Sequence, residues 1–190
     1  KEENPLKAIA GLDAAHPYSK LGAERVEALA ARVKPFFAEI GLNLKGEASA
    51  NHWRMTPLGV MKRAWLTLDE YASFESAEQM PWKKVCLLNI DGFLDFHTSY
   101  IAASLEQKGV ETTIASLSAP QFDKLRENPT EMRSTNISKV IIGDFVQTLA
   151  AQVNEKAAGA EVVLMPAVAG LTGTAEVERL KELVNVPLYF

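Results

Sequence analysis

Lys83-Lys84-Val85-Cys86-Leu87-Leu88-Asn89-Ile90-Asp91-Gly92 is the stretch whose reading decides the fold. Two lysines give way to a run that is apolar except for Asn89, and Asp-Gly ends it. A helix-like pattern follows at once. A short apolar run closed by a turn and followed by a helix is how a buried parallel strand opens a βαβ unit.

Downstream, Phe93 to Lys108 reads as a helix with Leu94, Tyr100, Ile101, Ala103 and Leu105 inward and Gly109 as its stop. Val110 to Leu117 is a β-branched second strand. A helical segment near Phe122–Arg126 leads to a turn at Glu127-Asn128-Pro129. A longer helix is expected over Thr135 to Ala158, with Gly143 as its weak point. Glu161 to Pro166 is a third strand, Thr174 to Val184 a helix, and Pro187 to Phe190 a fourth strand. Right-handed crossovers turn this order into a three-layer, Rossmann-like α/β fold. Its parallel sheet has about four strands in the order 2-1-3-4.

Upstream the character differs. Leu6, Ile9 and Leu12 stand at helical spacing, and Ala15-His16-Pro17-Tyr18 reads as a break. A long amphipathic helix is expected from Gly22 to Ile40, with Val26, Leu29, Ala30, Val33, Phe36, Phe37 and Ile40 on one face and, at Pro35, a kink or a break into two pieces. Asn51–Met55 and Val60–Leu68 read as strands joined by Thr56-Pro57-Leu58-Gly59, a composition that suits a tight turn. Ala72 to Pro81 is acidic and irregular and reads as a linker. The expected division is therefore 1–80, helical plus a β-hairpin, and 81–190, α/β.

Composition narrows the function. The chain has 190 residues, 47% of them apolar, and a formal charge of −4. That composition describes a globular protein and argues against a non-specific nucleic-acid surface. The single cysteine, Cys86, lies inside the first parallel strand, which excludes an internal disulfide and suits a reducing compartment. No apolar run approaches the ~20 residues that a membrane span needs. The chain begins with Lys1-Glu2-Glu3 rather than Met, and it stops inside the strand-like Val186-Pro187-Leu188-Tyr189-Phe190. The expectation is a piece of a longer protein.

The first βα turn is where a dinucleotide fingerprint would stand. It holds one glycine, Gly92, where G-x-G-x-x-G needs three; Phe93 and Leu94 obstruct approach, and Asp91 and Asp95 repel phosphate. The α/β part is therefore expected not to bind FAD or NAD at this turn. A ligand crevice past the strand ends would lie between Asp91-Gly92 and Pro166–Gly170, although Gly170 and Gly173 read equally as loop glycines. Arg133 and Asn136 have the chemistry to hold a phosphate or carboxylate, or to cap the following helix. Arg54, Lys62 and Arg63 give a small positive patch that a solvated face explains as well. His16, His52 and His97 are scattered, and no metal site is expected.

Several motifs in order carry a resemblance. They are Ala15-His16-Pro17-Tyr18-Ser19 with Leu21-Gly22, Thr56-Pro57-Leu58-Gly59 with Trp65-Leu66, and Gly92-x-x-Asp95-Phe96. Asn128-x-Thr130-Glu131-x-Arg133-x-x-Asn136-Ile137 and Met165-Pro166-Ala167 complete them. Together they resemble the B subunit of anaerobic glycerol-3-phosphate dehydrogenase over nearly the whole chain. The resemblance implies a flavoprotein oxidoreductase that converts sn-glycerol 3-phosphate to dihydroxyacetone phosphate and passes electrons to quinone. It implies FAD or FMN in the full-length protein, none tightly bound to this chain. The implied partners are the catalytic A subunit and the iron–sulfur, membrane-associated C subunit of the same complex. The implied location is cytoplasmic, peripheral at the inner membrane through those partners. It places this chain in the middle of the parent polypeptide. By the same similarity Thr56, Pro57, Leu58 and Gly59, with Arg54 and Arg63, are expected to face flavin and substrate. The alternative is a subunit-docking or small-molecule-binding module without catalysis of its own.

Overall fold

The computed structural model describes residues 2–171 and 173–190; residue 1, where the first expected part begins, lies outside them. The chain divides into two compact units. The first takes the chain up to Arg54 together with Met61–Ala77, and the second takes Met55–Val60 with Glu78–Phe190.

The first unit is built from short helices and two small sheets. Helix α1 (Pro5–Ala8) is capped by the Asn4 side chain, which accepts from the Lys7 N–H at 3.0 Å. Helix α2 (Pro17–Leu21) starts where a break was expected: the His16 ring nitrogen accepts from the Tyr18 N–H at 3.2 Å, and Pro17 takes the first helical position. The long helix expected over 22–40 is two pieces, α3 (Ala23–Ala30) and α4 (Val33–Glu39). Of the two alternatives, the break into two pieces is the one realised, and it falls one turn before Pro35. Proline disfavours helical geometry upstream and clashes with the carbonyl four residues back, yet it is tolerated in a first turn, where Pro35 now sits. Strand β1 (Leu44–Lys45) is antiparallel to β4 (Thr67–Leu68), while β2 (His52–Met55) and β3 (Met61–Ala64) form the hairpin ladder. Part of the expected linker is pinned: Phe74 is buried and exchanges both backbone hydrogen bonds with Trp53, each at 2.8 Å.

The second unit is the α/β fold. Strand β5 (Lys84–Ile90) is central, parallel to β6 (Glu111–Leu117) on one side and to β7 (Val162–Leu164) on the other. Strand β8 (Leu188–Tyr189) is parallel to β7, so the order is β6-β5-β7-β8, the expected 2-1-3-4. Val85, Cys86, Leu87, Leu88 and Ile90 are all at most 1% exposed, which explains why the run reads as apolar on both faces. Helices α5 (Thr98–Glu106), α6 (Pro120–Arg126), α7 (Ser134–Val140), α8 (Asp144–Lys156) and α9 (Ala175–Leu183) accompany the sheet.

Two expectations about these helices are corrected. α5 starts five residues later than expected, at Thr98 rather than Phe93, because Asn89 reaches across the turn and donates to the Phe93 and Phe96 carbonyls at 2.8 and 3.3 Å. Leu94 and Tyr100 then fall outward, at 78% and 60% exposed. The helix expected over 135–158 is broken into α7 and α8 at Gly143, whose φ of +55° lies outside helical geometry.

Candidate functional site

The hairpin tip is closed by its own residues. The Thr56 N–H donates to the Val60 carbonyl at 2.9 Å, the Gly59 N–H to the Thr56 carbonyl at 2.8 Å, and the Val60 N–H to Thr56 Oγ1 at 3.1 Å. Thr56 thus serves the turn with both backbone and hydroxyl. The tip rests on the start of α5. The His97 N–H donates to the Pro57 carbonyl at 3.2 Å. Gly59 has a φ of +75°, and a Cβ there would stand 2.4 Å from the Tyr100 carbonyl oxygen, so only glycine fits. Leu58 and Val60 of the tip, and Leu94 and Tyr100, stay outside, each more than half exposed.

Arg54 and Arg63 lie on β2 and β3, in the first unit. The Arg54 guanidinium stacks 4.6 Å over the Tyr71 ring and Arg63 lies 4.7 Å over Trp53. Such stacking holds a flat cation in a fixed plane. Arg54 Nε is buried and has no hydrogen-bond partner among the described residues; the same is true of Trp65 Nε1 and Asn51 Oδ1. Beside them His52 Nε2 meets Thr67 Oγ1 at 2.6 Å. Burial first, then the Lys45 and Arg54 charges, push the His52 pKa below its usual value, so this imidazole is neutral at pH 7.

At the C-terminal end of β5, Asp91 pairs with Arg126 of α6, whose other nitrogen reaches Asp123. The Arg126 stem lies over Gly92, where an added Cβ would stand 2.7 Å from its Cδ. Phe93 is buried, and its N–H is committed to the Ile90 carbonyl at 2.9 Å. With α5 delayed to Thr98, no helix N-terminus opens directly above the strand. An anionic pyrophosphate would meet the Asp91 carboxylate, a guanidinium already shared by two acids, and a covered glycine. This turn does not fit the phosphates of FAD.

On the opposite side of the expected crevice, Pro166 is buried and Gly170 is crowded by Val177, with 2.4 Å to an added Cβ. The Ser138 hydroxyl accepts from the Leu171 N–H at 3.1 Å and ties this loop to α7. Asp91 therefore finds its partner on α6, not in the 166–170 loop. Arg133 is exposed just before α7, and its side chain makes no capping hydrogen bond. The Asn136 amide donates to the Glu131 carboxylate at 2.6 Å and to its carbonyl at 3.1 Å.

The residues that reading the sequence alone passes over are those joined across distance: His97 and Tyr100 beneath the tip, Tyr71 beneath Arg54, and Arg126 over Gly92. Asn89 did leave a signal, as the one polar residue in an apolar run. Among the described residues, no group of His, Cys, Asp and Glu is placed to hold a metal, and no helix is long and apolar enough to cross a membrane.

Comparison with known proteins agrees with the resemblance that the motifs carry. The B subunit of anaerobic glycerol-3-phosphate dehydrogenase from Yersinia enterocolitica is 37% identical over 185 residues, covering 96% of this chain and 44% of that protein. The protein of the same name from Haemophilus influenzae is 36% identical over 180 residues, 92% of this chain and 42% of that protein. The Yersinia pestis protein is 33% identical over 185 residues. This chain therefore spans less than half the length of these curated relatives. No solved structure matches it. The family model described as FAD binding domain matches residues 1–188. With that match running nearly end to end, and a parallel sheet at its centre, the chain belongs to the FAD binding domain family.

Proposed function

We propose that this chain is part of the FAD-dependent B subunit of an anaerobic glycerol-3-phosphate dehydrogenase, and that it contributes the substrate side rather than the nucleotide side of the flavin site. The reaction of the whole enzyme is oxidation of sn-glycerol 3-phosphate to dihydroxyacetone phosphate, with two electrons passed on to quinone. The A subunit and an iron–sulfur C subunit are the proposed partners, and they hold the assembly at the inner membrane. FAD is the flavin of the whole polypeptide. Its pyrophosphate is held by residues outside this chain.

The observation that carries this reading is the 37% identity to such a protein across 96% of the chain, joined to a first βα turn that Arg126 and Asp91 occupy. The part left for this chain is recognition. Thr56, Pro57, Leu58 and Gly59 form a self-closed tip with a rigid seat. Arg54 and Arg63 are cations of fixed plane, suited to an anionic substrate. Arg133, exposed before α7, is a separate candidate for holding an anion.

Separate Arg54→Gln and Arg133→Gln substitutions in the assembled enzyme test the proposal. Loss of glycerol 3-phosphate turnover with subunits still assembled and flavin retained supports it for Arg54. Loss of assembly instead, for either variant, supports the docking-module alternative.

A further inference from the structure

The two units bury their apolar residues very differently. In the first unit the described residues that are buried are Ile9, Thr67 and Phe74. Among the described residues, α1, α2, α3 and α4 bury none. Yet α3 and α4 carry the apolar stripe that a core-facing helix carries. Phe36 is 60% exposed and Ile40 62%, with Tyr18 and Leu21 near 50%. An open apolar groove of about 230 Å³ is walled by Leu6, Tyr18, Leu21, Leu29, Val33 and Trp65, and Phe36 lines a neighbouring hollow that shares Leu29 and Val33 with it.

Helices of seven and eight residues do not persist on propensity alone; they need an apolar face covered by something. A contiguous exposed apolar face marks an interaction surface. A lipid surface is the wrong cover. The polar side of an interfacial helix is rich in Lys and Arg, whereas here Glu24, Glu27 and Glu39 alternate with Arg25, Arg32 and Lys34. Length supplies the occupant. The matched region is 96% of this chain but 44% of the relative, so a chain of the relatives' length holds more residues outside the match than inside it.

We propose that the α2–α4 face of the first unit is the seat of that same polypeptide's remaining part. The groove is thus an intramolecular interface of the whole flavoprotein, not a ligand site or a contact with another subunit. This rests on the reading that the chain is part of a longer dehydrogenase polypeptide.

The test is photo-crosslinking in the full-length protein with Phe36→p-benzoylphenylalanine, an aromatic replacement at an exposed position. The expected result is a crosslink, at monomer mass, to a peptide of the same polypeptide outside residues 1–190. A crosslink to a second copy, to another subunit of the assembled enzyme, or to a peptide within 1–190 overturns the proposal, as does no crosslink. Should that variant fail to fold, hydrogen exchange on the unmodified full-length protein decides: α3 and α4 amides protected as strongly as those of β5 support the seat, and fast exchange overturns it. A gene whose start codon immediately precedes Lys1 would sink the parent reading and the seat together. A longer product with an uncovered face would sink the seat alone.

Discussion

Gly59 stands so close to Tyr100 that a Cβ on it would lie 2.4 Å from the Tyr100 carbonyl oxygen. That approach, with the Pro57 carbonyl on the His97 N–H, fixes the hairpin tip on the first turn of α5. Gly59→Ala must both adopt a φ of +75° and displace the tip. The left-handed conformation alone costs roughly 1–2 kcal/mol. The expected outcome is a loss of about 2 kcal/mol or more in urea unfolding, with faster amide exchange at His97. Unchanged exchange at His97 would mean that the tip does not depend on this seat.

The core of the second unit is organised by β5. Leu88 is fully buried within it, so Leu88→Ala should cost about 2–5 kcal/mol, read from the shift in denaturant midpoint at unchanged slope. A cost under about 1 kcal/mol would show that the sheet is not the stability centre of this unit.

The Asp91–Arg126 pair is partly solvated, with its side chains 54% and 32% exposed. Exposed pairs contribute about 0–1 kcal/mol. Asp91→Asn should therefore lower stability by no more than about 1 kcal/mol, and by less as salt rises. A larger, salt-independent loss would make the pair a buried structural element instead.

His52 gives the first unit a pH dependence. Its folded pKa lies below the usual 6.5 because burial and the nearby Lys45 and Arg54 disfavour the imidazolium. The unfolded chain then binds more protons than the folded one, so this contribution is intact above 6.5 and is lost as pH falls through 6.5 towards the lower folded value. Thermal unfolding followed from about pH 8 to 5 should show His52→Gln with a flatter acid limb than the parent. Parallel limbs would rule out His52 as the titrating group.

The sheet was legible in the sequence because burial on both faces leaves a continuous apolar run, and because parallel strands joined by helices permit few orders. Thr56-Pro57-Leu58-Gly59 was legible as a turn because Pro and Gly act locally. The start of α5 was not, since Asn89 holds the Phe93 and Phe96 carbonyls from across the turn. The break in the 22–40 helix was legible from Pro35, whose first-turn position set the interruption one turn upstream. Arg126 over Gly92, Tyr71 under Arg54 and Tyr100 under Gly59 join residues far apart in the chain, and no local pattern announces them. The missing glycines and the two carboxylates of the first βα turn are local and readable, whereas the Arg126 stem over Gly92 is not.

The visible absorption spectrum of two purified proteins tests the account most directly: the full-length flavoprotein and the 190-residue chain. The full-length protein should be yellow and retain FAD through gel filtration. The 190-residue chain, folded by circular dichroism, should elute colourless even after incubation with excess FAD. Stoichiometric FAD held by the 190-residue chain would contradict the account, and so would a full-length protein that binds none.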